Sequence, residues 1–244
     1  MRAHRVKALL MGGQACVSYG AAEFSRDLDL AILASLDNLE ALRGAMLDLR
    51  AEVIAVPPFE AKYLRKGHAV HFRCHDAEAD GLRVDVMSRM RGVDSFKALW
   101  SRRTTVELPD GAAFDLLSLP DLVQAKKTQR DKDWPMIRRL VEADFFARRK
   151  AAAAADIRFW LRELRTPELL VAVASAHPEA CRRLARSRPL LRIALRGDES
   201  ELAAALELEE KKEREADRRY WQPLRAELEL LRHSKRSRAV RGGS

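Results

Sequence analysis

The residues best placed for chemistry are two aspartates one position apart, in the run Asp27-Leu28-Asp29-Leu30-Ala31-Ile32-Leu33. Read as a strand, the run alternates its side chains, so Asp27 and Asp29 share one face while Leu28 and Leu30 take the other. Two like charges side by side repel and call for a compensating cation. Oxygen-only donors at this density suit magnesium or manganese rather than zinc. Upstream, the apolar run Ala8-Leu9-Leu10-Met11 reads as a short buried strand that ends on Gly12-Gly13. Without Cβ atoms these glycines let the backbone turn sharply and bring its N–H groups close to a phosphate. A small-residue segment, residues 14–22, fits a short helix, and its N-terminal end would face the same place. A phosphate cradle next to a metal-binding carboxylate pair is what phosphoryl transfer requires.

At these positions the chain resembles the DNA polymerase β-like nucleotidyltransferase superfamily. The signature of that superfamily is a hydrophobic residue, Gly-Gly or Gly-Ser, a short interval, then an acidic pair alternating with hydrophobics. Met11-Gly12-Gly13 and Asp27-Leu28-Asp29-Leu30 match it. The subtype looks closest to small bacterial nucleotidyltransferases of toxin–antitoxin and abortive-infection systems. Many of those carry Arg-x-Thr/Ser before the acidic pair; Ser25 takes the hydroxyl position, and Glu23 stands where the Arg would be. The resemblance implies a third carboxylate from a strand neighbouring the acidic pair. Asp85, in Leu82-Arg83-Val84-Asp85-Val86-Met87, is placed where that residue is expected. The implied site is Asp27, Asp29 and Asp85 as metal ligands and catalytic residues, with Gly12, Gly13 and Ser25 on the nucleotide. A salt bridge to Arg83, on the same strand face, is the alternative role for Asp85.

Further along the chain, Ser118-Leu119-Pro120-Asp121 has a hydroxyl N-cap, a proline in the first turn and an acid near the positive end, so a helix is expected over 118–130. Leu-Pro-Asp-Leu, a Lys, then Arg-Asp-Lys-Asp is again similar to the abortive-infection type, where the matching Lys and Arg lie near the nucleotide. Lys126 and Arg130 are four apart, share a helix face, and could clamp phosphates together; ordinary surface cations are the alternative. Lys62, Arg65 and Lys66 could also line a nucleotide pocket, or belong to a solvated loop over 59–67. His68, His71 and His75 fall in a strand-like alternation and invite a zinc reading. One flat strand face spreads His71 and His75 too far apart for one small ion, so they are read as edge-strand histidines.

Between these landmarks the pattern is mixed. Ser35 caps a helix with Leu39, Leu42, Met46 and Leu49 at helical spacing. Further strands are expected over 53–56, 68–75 and 82–87, a short helix over 93–101, and a hairpin over 104–117 turning at Pro109-Asp110-Gly111. From residue 151 onward no strand is expected; Pro167, Pro178 and Pro189 punctuate short helices, and 198–220 reads as a long charged helix. The fold class is therefore α+β, a small mixed-sheet nucleotidyltransferase core over 1–117 followed by an all-α domain over 118–236 and a disordered tail over 237–244.

Composition sets the remaining bounds. A chain of 244 residues with 47% hydrophobic content can bury a sizeable core. The net charge of +9 is unevenly placed: residues 1–137 hold 20 Lys and Arg against 19 Asp and Glu, residues 138–244 hold 25 against 17. That basic excess favours a polyanion such as RNA, or belongs to a solvated arginine-rich surface. Three scattered cysteines without a C-x-x-C pair point to a reducing compartment and no zinc site. No signal peptide or membrane-length apolar run is visible, so a cytoplasmic location is expected. The leading expectation is a magnesium- or manganese-dependent enzyme moving a nucleoside monophosphate from an NTP to a hydroxyl or phosphate acceptor, with tRNA, another RNA or a cognate toxin or antitoxin protein as acceptor. The alternative is an antitoxin-like, partner-binding protein on the same fold with weak or lost catalysis.

Overall fold

The computed structural model describes residues 1–109 and 111–241, with side chains described as far as residue 237. The protein is α+β, with a seven-stranded mixed sheet and an all-helical C-terminal region. Its chain contacts define two compact units. One comprises Met1–Ser18, Ala22–Ala125 and the described part of Arg219–Ser244; the other comprises Tyr19–Ala21 and Lys126–Arg218.

In the first unit the strands are β1 (Ala8–Met11), β2 (Leu28–Ile32), β3 (Glu52–Val53), β4 (Val70–Arg73), β5 (Arg83–Met87), β6 (Thr104–Glu107) and β7 (Ala113–Leu116), in the spatial order β3-β4-β5-β2-β1-β7-β6. β2 runs parallel to β5 and β1 parallel to β7; the other neighbours are antiparallel. Period-two alternation divides β5 cleanly: Val84 and Val86 are fully buried, whereas Arg83, Asp85 and Met87 are only partly so. Val84 and Val86 join Leu30 and Ile32 of β2 and Val70 and Phe72 of β4 in one apolar cluster. α2 (Leu36–Asp48) closes that cluster with Leu39, Leu42 and Met46, and α3 (Ala61–Lys66) with Leu64. With one face of the sheet committed to this core, the register leaves Asp29, Asp85 and His71 on the other.

Ser35 caps α2 as expected, its hydroxyl accepting from the Asn38 amide at 3.3 Å. The hairpin is present as β6 and β7, preceded by α4 (Phe96–Ser101); of its turn residues, Asp110 lies outside the described residues. Residues 61–66 are helical, not the loop that their charges suggest. α1 (Gly12–Ser18) starts on the glycines themselves, two residues earlier than expected. β2 begins at Leu28, so Asp27 precedes the strand. β4 lies between β3 and β5, so its histidine is not on an edge: the strand expected over 53–56 is present as the two-residue β3, and it covers that side.

α5 (Leu119–Lys126) is capped by Ser118, which accepts from the Asp121 amide at 3.4 Å, but it stops at Lys126 and does not reach Arg130. Side chains take over the backbone groups beyond it: the Gln129 amide donates to Asp217 at 2.8 Å, the Arg130 amide to Thr128 Oγ1 at 3.1 Å, and Trp134 Nε1 to the Thr128 carbonyl at 2.8 Å. Such side-chain competitors, one of them remote in sequence, end a helix that propensity alone would continue.

The second unit contains α6 (Asp133–Arg148), a 3-10 turn (Arg149–Ala151), α7 (Ala154–Glu163), α8 (Pro167–Ala176), α9 (Pro178–Leu184), α10 (Leu191–Ala194) and the first part of α11 (Glu199–Arg241). Pro167 and Pro178 occupy first-turn positions, where a missing N–H costs nothing. Trp160, Leu161, Leu164, Leu170, Leu191 and Leu202 form its buried interior. Arg188 is buried within it, donating to the carbonyls of Leu161 and Leu164 at 2.9 and 3.1 Å and pairing with Glu209. Residues 237–241, which composition marks as tail, carry the helical backbone of the end of α11; residues 242–244 lie outside the described residues. No helix among the described residues is long and apolar enough to cross a membrane.

Candidate functional site

The site is built where β1, β2 and β5 lie side by side. Met11 of β1 is opposite Asp29 of β2, Asp29 is opposite Asp85 of the parallel strand β5, and Asp85 is opposite His71 of β4. Residues in register on neighbouring strands share a face and lie about 5 Å apart. Two carboxylates distant in sequence are thus neighbours at one level of the sheet, on the face turned away from the apolar cluster.

The glycine pair meets this row directly. A Cβ built on Gly12 would lie 1.8 Å from Asp29 Oδ2, and the residue has φ +66°, so a side chain there is excluded by both contact and backbone. A Cβ on Gly13 would lie 2.3 Å from Ser25 Oγ. The two glycines therefore let the backbone lie against one carboxylate and one hydroxyl. Ser25 is set in its loop by Gln14, whose Nε2 donates to the Ser25 carbonyl at 2.6 Å, while Ser25 Oγ reaches the Asp27 carbonyl at 3.4 Å. Asp27 is exposed and Asp29 half-buried.

Asp85 is engaged. Arg83 Nε and Nη2 hold its two oxygens at 2.8 and 2.9 Å, a bidentate pair, and His71 Nδ1 lies 2.8 Å from Oδ1. The same His71 nitrogen is 3.1 Å from Arg83 Nη2; it can donate to Asp85 or accept from Arg83, not both. Burial pushes the Asp85 carboxyl up, but the hydrogen bonds and charges of His71 and Arg83 outweigh it and hold the group below the ordinary carboxylate range. Arg83 is held more firmly charged, first by its hydrogen bonds to Asp85, against its own desolvation, and further by the charges of Asp85, Asp27 and Asp29. One guanidinium thus serves three carboxylates. Among the described residues no three His, Cys, Asp or Glu side chains are gathered as metal ligands.

Lys126 and Arg130 are brought together in the second unit, by a carboxylate. Lys126 Nζ lies 3.1 Å from Asp133 Oδ1, and Arg130 Nε and Thr128 Oγ1 donate to Oδ2 at 2.8 and 2.5 Å. Asp133 is 1% exposed. Desolvation raises its carboxyl, and the Lys126 charge, the Thr128 hydrogen bond and the Arg130 charge bring it below its ordinary value. The shared helix face expected for these cations does not exist, because α5 ends at Lys126 and Arg130 lies in the following loop. Lys62 pairs with Glu60 at 2.7 Å, Lys66 with Glu227 at 2.6 Å, and Arg65 donates to the Ala34 carbonyl at 3.4 Å. His68 is buried and meets Glu227 at 3.0 Å.

Sequence reasoning missed His71 as the neighbour of Asp85, and Gln14 as the brace of the Ser25 loop. The first was hidden because strand register, not local pattern, makes the contact; the second had no signal beyond proximity to the glycines. No protein-family model matches the chain, and no curated protein matches it in sequence.

Proposed function

We propose that the first unit is a nucleotidyltransferase, dependent on magnesium or manganese, that moves a nucleoside monophosphate from an NTP to a hydroxyl or phosphate acceptor. One observation carries the reading: Asp29 and Asp85 stand in register on adjacent parallel strands, with Gly12 pressed so close to Asp29 that no side chain fits. The donor set suits a hard divalent cation, being carboxylate oxygens beside a cradle that a Cβ would fill. Asp27, Asp29 and Asp85 would hold the ion, which supplies neutralising charge for the triphosphate and its leaving group. Gly12 and Gly13 allow their backbone amides to approach the phosphates, and the Ser25 hydroxyl adds a donor beside Gly13. Asp85, the carboxylate in register with Asp29, would take the proton from an acceptor hydroxyl. The acceptor oxygen then forms a bond to the α-phosphorus, the bond from that phosphorus to the bridging oxygen breaks, and pyrophosphate leaves. Lys126 and Arg130 have no part in this proposal; their side chains are assigned to Asp133.

The bidentate grip of Arg83 on Asp85 favours a second reading, a partner-binding protein that has kept the fold and lost the chemistry. The deciding experiment incubates the full chain with each labelled NTP and magnesium or manganese, against RNA and cell extract, and measures melting in parallel. The transferase reading expects label on an acceptor and a melting temperature raised by NTP with metal, since a ligand at a hundredfold its Kd stabilises by about 2.7 kcal/mol. Asp29→Asn should remove most of that shift. No label and no shift with any nucleotide would leave the partner-binding reading.

A further inference from the structure

The second unit holds a cavity of about 750 Å³ between α7 and the corner joining α8 to α9. Its lining includes Ala154, Ile157, Pro178 and Leu184, with Arg158 and Arg183 as its cations. That volume falls within the roughly 300–1,000 Å³ of small-ligand pockets. Arg158 and Arg183 are exposed, and neither has a carboxylate partner among the described residues. Glu179 is the single acid in the lining, so the cavity carries a net positive charge.

The surplus extends beyond the cavity. Residues 180–197 contain six arginines and no Asp or Glu. Arg188 and Arg196 are paired, with Glu209 and Glu201, whereas Arg182, Arg183, Arg186 and Arg192 are exposed without a carboxylate among the described residues. Across 151–210 every cation other than histidine is arginine; there is no lysine. Arginine's planar fork matches phosphate oxygens bidentately and stacks on flat rings, which lysine does not do. An apolar recess flanked by such groups has the two parts that single-strand recognition needs, a place for an unstacked base and cations for the phosphates beside it.

We propose that this cavity seats a base of a single-stranded RNA, with Arg158 and Arg183 on the adjacent phosphates and Arg182, Arg186 and Arg192 extending the track. A duplex keeps its bases stacked and could not fill the recess. A single small anion would not account for arginines beyond it. An acidic protein would satisfy the charge but leaves the nucleotide-sized recess without a purpose. The inference rests on the transferase reading only for the use made of the RNA, as acceptor.

The test measures binding of the full-length chain to fluorescein-labelled single-stranded RNA by anisotropy, without NTP or metal, from about 50 to about 300 mM salt. Affinity should fall linearly with salt on logarithmic axes. Arg158→Gln/Arg183→Gln should weaken binding about tenfold or more and make the slope shallower by about 1.4, two phosphates at about 0.7 each. An oligonucleotide with an abasic site should bind more weakly to the unaltered chain. Ala154→Trp, at an exposed position, should fill the recess and erase that difference while keeping the salt slope. Melting temperatures of both variants, close to that of the parent, exclude misfolding. Unchanged affinity in the double variant, a flat salt response, equal binding of duplex RNA or single-stranded DNA, or full displacement by polyglutamate would each overturn the proposal. Because neither nucleotide nor metal is present, such a failure leaves Asp27, Asp29 and Asp85 untouched, and a transferase failure leaves this result standing.

Discussion

Asp85 in the first unit and Asp133 in the second are each gripped by two basic side chains, yet they sit in opposite electrostatic situations. Asp133 is 2% exposed at the side chain, and its partners Lys126, Thr128 and Arg130 come from the end of α5 and the loop that follows it. Two cations meet one carboxylate there, so the negative group is fully answered from within the chain. Asp85 is 16% exposed at the side chain, and its guanidinium partner must also answer Asp27 and Asp29. The Arg83 charge is shared among three carboxylates, and His71 is a second basic group on Asp85. A buried carboxylate held by two cations fixes local structure; a more open one, whose guanidinium also acts on two further carboxylates, is placed to meet a ligand. The same residue types at similar distances therefore support different roles, and the local balance of charge tells them apart.

The sharpest way to break this contrast is to remove each carboxylate in turn. Asp85→Asn should lower the transfer rate about a hundred- to ten-thousand-fold, the usual loss for a positioned proton acceptor. Its cost in stability should be only about 1 kcal/mol, because the Arg83 side chain is 38% exposed and water can take over its hydrogen bonds. Melting and transfer measured on one preparation separate the two effects; an Asp85→Asn protein that is unstable yet fully active per folded molecule would make Asp85 a structural partner of Arg83.

Asp133→Ala should behave in the opposite way and cost about 3–5 kcal/mol in stability, since it leaves Lys126 without its carboxylate in a buried setting. Chemical denaturation of the full chain reads this directly. The pH dependence has a definite sign. The Asp133 carboxyl is lowered below its ordinary value of 3.8, so the stability it contributes is fully present above that pH and is lost as pH falls through the lowered folded value. The alanine variant should lose that part of the acid dependence. An equal acid response in both proteins would mean that the Asp133 carboxylate does not stabilise the fold through Lys126, Thr128 and Arg130.

Much of this is legible from the chain. The order strand, Gly-Gly, helix, acidic strand is present as β1, α1 and β2, with Asp27 just ahead of β2, because apolar alternation and glycine constraints are local properties. The resemblance places Asp85 beside the acidic pair, and β2–β5 pairing puts it opposite Asp29. What is not legible depends on partners remote in sequence or on competition at a helix end. Periodicity over 118–130 gives no hint that Asp217, 88 residues from Gln129, takes the amide that would have continued α5. It gives equally little hint that Lys126 and Arg130 converge on Asp133. His71 reads as an edge histidine because a strand expected over 53–56 does not say which strand it pairs with, and the position of His71 opposite Asp85 follows from register alone.

The smallest effect bears most directly on what the carboxylates of the first unit are for. Arg83 is the cation that Asp85 holds now, and its charge is felt by Asp27 and Asp29 as well. If these carboxylates form a metal site, Arg83 competes with the metal, and Arg83→Gln removes the rival charge while keeping an amide that can donate to Asp85. Charges a few ångströms apart near a protein surface interact by about 1 kcal/mol or somewhat more once solvent screening is allowed for, which corresponds to manganese binding about five- to tenfold tighter. Calorimetric titration of manganese into the full chain, with no nucleotide present, reads this without reference to activity. Tighter binding in the glutamine variant, lost again when Asp29→Asn is added, would establish Arg83 as a stand-in cation at a metal site. Manganese binding that is absent from both proteins would place Asp85 in the same class as Asp133, and the difference in charge balance between the two units would then carry no functional meaning.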